Sequence, residues 1–267
     1  MEFFDIVRCP ICGHHPLDIS GALNSGSSLD VDLKCPSCGQ LYPVRNGVAD
    51  MLPDSLVHGR DRVEEWKRKL TLQETWSHSQ RPIHLEQTRQ VGQWRPSVDI
   101  ADKYLRLITW NSGRCRVLDV GCGAGDRVKH FSRRAYFGVD PLILCGDYPF
   151  PFFRAIAEAL PFADGVFDVV LAVEVFDHLL DPDQALTEIL RVLAVGGSLF
   201  IFVGDCQYDR VPARSENSIS PHLIEENAVH LHSFSEKSFK QSFGDSFAEF
   251  HIDRVHGYLS VWGWNKT

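Results

Sequence analysis
Two hydrophobic rhythms run along the chain. In its second half, short apolar runs recur between polar breaks, as buried strands do. The runs "RCRVLDV" (114–120) and "RAYFGVD" (134–140), with residues 166–173 and 198–203, predict four strands. Residues 183–193 carry a helical period between the last two, and a Gly-Gly turn follows at 196–197. The tail "DSFAEFHIDRVHGYLSVWGWNKT" alternates well enough for two more strands. Further upstream the period lengthens. Val63, Trp66 and Leu70 share one helical face, and so do Val98, Ala101, Leu105 and Ile108. Two helices are predicted there, with a loop around Arg81-Pro82. Strands that alternate with helices imply an α/β fold with a mainly parallel sheet.

The first strand of the second half runs straight into "VGCGAGD", with glycines at 121, 123 and 125 and a helical stretch predicted from Asp126. Strand, bare turn and helix make a ligand crevice at the carboxyl end of a strand, where backbone can approach a ligand and N–H groups are free. The G-x-G-x-G spacing differs from the G-x-G-x-x-G of dinucleotide sites. Asp140 closes the next strand about twenty residues on, where an acid can accept hydrogen bonds from ribose hydroxyls. Only "PLILCGDYPFPF" separates it from the following strand, and its prolines leave room for a short helix or none.

The N-terminal fifty residues follow another logic. Cys9 and Cys12 lie in "CPICG", and Cys35 and Cys38 in "CPSCG". Two C-x2-C turns supply four sulfurs, a closed tetrahedral set with no open position, so a structural zinc is expected. Paired disulfides or free thiols are the competing reading. His14 and His15 are read as turn residues beside a set already complete. A segment this short buries little core, and metal binding would supply much of its folding free energy.

Composition narrows the function. Net charge is −8, a poor match for polyanions. Residues 54–116 alone are basic, with 12 Lys and Arg against 8 Asp and Glu. Trp66, Trp76, Trp94 and Trp110 crowd this connector, as packing residues or as a lid over a substrate pocket. No apolar run is long enough to cross a membrane, and no secretion signal is visible at the N-terminus, so a cytoplasmic location is expected.

Two resemblances give these motifs a context. "GQLYPVRNGVADMLP" (39–53) resembles the small zinc ribbons of the Trm112 type, through Tyr42, Pro43, Val44, Asn46, Gly47, Met51 and Leu52. In that family the ribbon accompanies methyltransferases. "LDVGCGAG" and then "AEALPFADGVFDVVLAVEVFDHLLDPDQALTEILRVLAVGGSLFIFV" (157–203) resemble class I S-adenosylmethionine-dependent methyltransferases of type 11. The resemblance implies a Rossmann-like seven-stranded methyltransferase sheet with helices on both faces, preceded by a small zinc-ribbon domain. The expected units are 1–53 ribbon, 54–110 helical connector or lid, and 111–267 methyltransferase domain.

It also implies roles. Asp119 and Gly121 would face the methionine part of S-adenosylmethionine, with Cys122 as the small residue between glycines and Gly123 permitting close approach. Asp140 would hold the ribose, Ala157 and Glu158 the adenine edge, and Glu174 the substrate end of the cofactor site. Ile156 stands where many relatives have Asp, so backbone or Glu158 would replace the usual adenine partner. Methyl transfer from an activated sulfonium needs positioning above all, and a base only where the acceptor must lose a proton. Candidates are Glu174, Asp177 and His178, with His178 first because imidazole titrates near neutrality. His222, His230 and His232 form a loose cluster read as solvated or packing residues. Three functions stay open: a methyltransferase for a small-molecule or carrier- or glycan-linked acceptor, a ribosomal RNA base methyltransferase, and a degenerate fold used as a binding scaffold.

Overall fold
The computed structural model describes residues 4–20, 30–59, 61–79, 115–131, 136–205, 230–243, 247–255 and 258–265. The predicted helix over 98–108, Trp94, Trp110, Cys206 and His222 lie outside them. The N-terminal region forms β1 (Asp18–Ser20), β2 (Val31–Lys34), β3 (Leu41–Arg45) and β4 (Val48–Asp50). Two helices follow, α1 (Asp54–Val57) and α2 (Val63–Ser79). The rest comprises β5 (Val117–Val120), β6 (Tyr136–Asp140), β7 (Phe152–Arg154), β8 (Phe167–Val173), α3 (Pro182–Val192), β9 (Leu193–Gly204), α4 (Glu236–Phe243), β10 (Phe247–Val255) and β11 (Tyr258–Asn265).

All eleven strands belong to one sheet, in the order β1-β2-β3-β4-β7-β6-β5-β8-β9-β11-β10. Strands β5 to β11 make the seven-stranded unit expected from the resemblance. The sheet nevertheless continues, because β4 pairs in parallel with β7, Val48 opposite Phe152 and Asp50 opposite Arg154. Arg154 Nη1 donates to both oxygens of Asp50 across this seam, at 2.9 and 3.1 Å. A second seam lies at the chain's start. There Val7 bridges Phe162, Ala163 N–H donates to the Ile6 carbonyl at 2.7 Å, and Arg8 N–H donates to the Pro161 carbonyl.

The burial pattern explains the order. Strands β5 and β6 are buried at every residue, as parallel strands covered on both faces must be. Phe162 lies edge-on against Phe137, Phe153 and Phe167. These rings share one apolar cluster with Phe4, Ile6, Val7, Leu33, Tyr42 and Met51 of the ribbon. Ribbon and large unit therefore share a core as well as a sheet.

Helix α3 starts with Asp181, whose carboxylate accepts from Gln184 N–H, and with Pro182 in its first turn, a capped start that needs no other support. Arg191 on its last turn donates to Glu188, Asp164 and the carbonyls of Leu160 and Phe162, tying helix to sheet. Two local expectations change. The stretch after the glycine turn is a 3-10 helix, Asp126–His130, which ends where Phe131 takes an extended backbone. Strand β9 begins at Leu193 rather than 198, pairing with Phe167 before the register shifts to Ser198 opposite Val169. Gly196, at φ 72°, makes that shift possible. Residues 141–151 hold no helix, as their prolines predict.

Candidate active site and thiolate cluster
The sheet order reverses at β5, with β6 on one side and β8 on the other. A doubly wound sheet opens a crevice at that point, beyond the carboxyl ends of its strands. A cleft lies there, with about 510 Å³ of empty space counting the part open to solvent. Gly121 and Asp140 form part of its floor, Ile156, Ala157 and Glu158 one wall, and Glu174, Val175 and His178 another. Trp66, Leu70 and Gln73 of α2 close it from above. Trp66 is 5% exposed and packs with Ile156, Ala159, Leu180 and Leu231. Helix α2 of the connector is thus packed onto the large unit and also lines the cleft.

The glycine loop explains its own composition. Gly121 has φ 68°, and a Cβ there would lie 2.4 Å from Val175 Cγ2. Any side chain would push the loop off the wall of the cleft. Asp140 holds the loop from the other side: Oδ2 accepts from Gly123 N–H and Oδ1 from Leu142 N–H, both at 2.9 Å. Cys122 points away into an apolar cluster with Tyr136 and Phe150, and burial drives its thiol pKa well up. It is a packing residue.

Asp119 does not line the cleft. It is fully buried at the end of β5, where Oδ2 accepts from Tyr136 Oη and lies 3.4 Å from Arg127 Nη1. Burial raises its pKa, against the pull of Arg127. Its Oδ1 has no hydrogen-bond partner among the described residues. Glu158 is buried too. Its Oε1 accepts from Leu180 N–H at 2.6 Å and Asp181 N–H at 3.0 Å, which secures the loop carrying His178. Ile156 fills the position of the missing acid with an apolar surface against Trp66.

Glu174 is exposed at the end of β8 and held at φ 56°, in the left-handed region. Its N–H donates to the Phe202 carbonyl at 2.7 Å, so the strand pairing on the β9 side fixes this costly backbone. Strain of this kind gathers at functional sites. Asp177 and His178 follow in a 3-10 turn, and the chain brings His230 against them. The Leu231 and His232 N–H groups both donate to the Asp177 carbonyl. Sequence reasoning placed His230 in a loose cluster with His222 and His232, and only the tertiary fold reveals its real neighbours. It also passed over Arg127 and Tyr136, which partner Asp119, because nothing in their spacing marks them.

In the ribbon, the four sulfurs lie within 4.8 Å of one another. Cys9 and Cys38 are 3.7 Å apart, Cys12 and Cys35 3.5 Å. Each knuckle closes on itself, with Gly13 N–H donating to the Cys9 carbonyl and Gly39 N–H to the Cys35 carbonyl. Tyr42 Oη reaches Cys9 Sγ at 2.9 Å, a buried polar contact on the back of the cluster. His15 Nε2 bonds to the Asp5 carbonyl instead of joining the sulfurs. A four-thiolate donor set at this spacing fits a tetrahedral zinc.

Comparison with known proteins agrees with this architecture. A family model described as Methyltransferase domain matches residues 118–201, and one described as Trm112p-like protein matches residues 2–47. A methyltransferase of Mycobacterium sp. strain KMS, named as uncharacterized, is 36% identical over 110 residues. That match covers 37% of this chain and 42% of the relative, less than half its length. The solved plantazolicin methyltransferase BamL, in complex with a substrate analogue and SAH, superposes with TM-score 0.53 at 13% identity, covering 80% of this chain and 99% of that one. A complex of the Haloferax volcanii Trm112 methyltransferase activator with a protein assigned as a methyltransferase gives TM-score 0.51 at 19% identity, covering 73% and 97%. At such identities the two structures speak for the fold alone. Residues 118–201 are thus similar to a methyltransferase domain, and residues 2–47 to a Trm112p-like protein.

Proposed function
We propose that the protein is an S-adenosylmethionine-dependent methyltransferase acting on a small-molecule or carrier- or glycan-linked acceptor, with a structural zinc in its ribbon. The observation that carries this reading is the glycine loop braced by Asp140 at the switch point of the sheet. One further feature fits a ligand lying close to the loop: Gly121 has no room for a side chain. Asp119, turned toward Tyr136 and Arg127, would act on the cofactor only through the loop it supports. Asp140 would hold the ribose, and Ala157 with Glu158 the adenine edge.

When bound, S-adenosylmethionine supplies an activated methyl group. The protein's own part is to position the acceptor and exclude water. Trp66 and Leu70 form an apolar cover, and Glu174 and His178 border the space left for the acceptor. His178, with the Asp177 carboxylate 3.8 Å from its Nε2, is the proposed proton acceptor, and Asp177 the group that orients it. Acceptor chemistry follows from charge. Among the described residues, Arg62 just before α2 pairs with Glu65, and Lys67 and Lys69 on the helix pair with Glu64 and Glu65, which reduces the basic charge offered to a phosphate backbone there.

The test is titration calorimetry of S-adenosylhomocysteine into the zinc-loaded protein, with Asp140→Ala as control. Micromolar binding is expected in the wild type. A charged hydrogen-bond acceptor contributes about 1.5–3 kcal/mol, so its loss should weaken binding by about 10- to 100-fold. Absence of binding to the folded wild type would sink the enzymatic reading. Equal affinity in the variant would remove Asp140 from the site.

A further inference from the structure
We propose that Asp177, His178 and His230 form a second metal site, for a divalent transition ion such as zinc, at the edge of the cleft. The ligand atoms of the three side chains lie within 4.8 Å of one another. His178 Nε2 is 3.8 Å from Asp177 Oδ1, and His230 Nε2 is 3.5 Å from Asp177 Oδ2. Both separations exceed a charge-assisted hydrogen bond, which closes to about 2.7–2.9 Å. They suit donors that share an ion: metal–ligand bonds of about 2.0–2.1 Å set tetrahedral N and O donors about 3.3–3.4 Å apart. The ribbon offers an internal standard. Zinc–sulfur bonds of about 2.3 Å put tetrahedral sulfurs about 3.8 Å apart, and the ribbon's measured pairs are 3.5 and 3.7 Å. The histidine corner, at 3.5 and 3.8 Å, is as open as the thiolate cluster and slightly wider than bound N and O donors, so an ion would draw its ligands in by a few tenths of an ångström.

Burial supports the assignment. Asp177 is 7% exposed, and its Oδ1 has no hydrogen-bond partner among the described residues. A carboxylate oxygen kept from water without a donor is costly, and a cation between it and the imidazole offsets that cost. The third ligand is also held in place beforehand. Lys69 Nζ donates to the His230 carbonyl, Arg62 Nη2 donates to the Leu231 carbonyl at 3.3 Å, and Leu231 N–H returns to Asp177. The two cations face Glu65, which lowers their repulsion toward an ion nearby.

The chemistry follows from the donor set. Two imidazoles and one carboxylate suit zinc-like ions and leave a coordination position open, unlike the four thiolates. His178 lines the cleft, so the ion would border the acceptor. As a Lewis acid it would lower the pKa of an acceptor hydroxyl so that the proton leaves to solvent water at the open side of the cleft, whereas with no ion bound the proton would pass to the His178 imidazole. The site's existence does not depend on the methyltransferase reading, and its test uses no cofactor.

Protein carrying one zinc in the ribbon is titrated with cobalt(II), followed by visible absorption and by elemental analysis after dialysis. A second equivalent is expected, with d–d bands but without the thiolate-to-cobalt charge transfer of the ribbon. His230→Ala should lose it while the ribbon zinc stays, and His230→Asp, which restores a ligand, should regain it. The loss in His230→Ala should exceed the about 10- to 100-fold typical of removing an outer-shell partner. A wild type that stops at one metal per chain overturns the proposal. So does a second equivalent that survives in both His230→Ala and His178→Ala.

Discussion
The thiolate cluster and the cleft solve the same problem in opposite ways. In the ribbon, four ligands come from two knuckles, each closed by its own backbone hydrogen bonds. In the cleft, the lining comes from the ends of β5, β6 and β8, the turn after β7, and helix α2. The first site is local and closed: its ligands come from two turns within the first forty residues. The second exists only when distant segments meet, and it keeps an open wall. A structural centre tolerates the first design, and a site that must admit and release ligands requires the second.

Breaking the closed site should have the largest effect. Cys12→Ser removes one thiolate at an exposed position and so creates no cavity. Structural zinc contributes about 10–16 kcal/mol of apparent binding free energy in small ribbons, so most of the ribbon's stability should go. Metal analysis should fall from one zinc per chain toward none, with limited proteolysis cutting first in residues 1–53. Retained zinc with an intact ribbon would contradict the assignment.

In the open site, Gly121→Ala should matter next. The left-handed backbone alone costs a non-glycine residue about 1–2 kcal/mol, and the added Cβ meets Val175. The midpoint of thermal unfolding should drop modestly, while affinity for S-adenosylhomocysteine falls by about 5- to 30-fold if that cost must be met to restore the binding geometry of the loop. A variant that binds normally would show that the loop does not touch the cofactor.

Glu174→Gly sharpens the contrast, because it separates stability from function. It relieves the left-handed strain, less about 0.5–1 kcal/mol of glycine entropy, so denaturant unfolding should show a gain of up to about 1 kcal/mol. Methyl transfer should fall at the same time. A loss of stability would mean that the strain is not stored there.

The smallest effect is one of pH. Burial lowers the His232 pKa, against the Leu179 carbonyl that its Nε2 contacts at 2.9 Å. The unfolded chain then takes up the proton first as pH falls. Stability from the neutral imidazole is present above the ordinary histidine range, near pH 6.5, and is lost as pH drops below it. The difference in unfolding midpoint between wild type and His232→Gln should shrink from pH 8 to pH 5.5. A constant difference would leave His232 without a role in the pH response.

What the sequence discloses follows the same division. Cys9, Cys12, Cys35 and Cys38 are legible from spacing because each pair shares one turn. Strands β5, β6 and β8, helix α3 and the glycine loop are legible because their apolar periods and turn residues are local. The pairing of β4 with β7 is not. Val48–Asp50 is a three-residue strand whose partner lies a hundred residues away, and no period records it. The helix expected after Gly125 is a 3-10 helix that Phe131 ends in extended backbone, a difference in winding that the local spacing of apolar residues does not record. His230 joins Asp177 and His178 through backbone bonds from Leu231 and His232 to the Asp177 carbonyl, a contact that no pattern of side chains announces. Asp119 shows the converse: its motif is plain, yet its carboxylate turns toward Tyr136 and Arg127 rather than the cleft.

The pairing of β4 with β7 also bears on solubility. Without the ribbon, β7 would be the outer strand of the methyltransferase sheet, offering unpaired N–H and C=O groups beside Phe152 and Phe153, both fully buried now. Such an edge invites other chains to add on. The ribbon caps it and ends the sheet instead at β1, three residues long with every side chain exposed, a poor template for further strands. With the proposed zinc in the ribbon, a chain deprived of that ion would gain a sticky border as well as an unfolded appendage, and the shortage should surface first as aggregation.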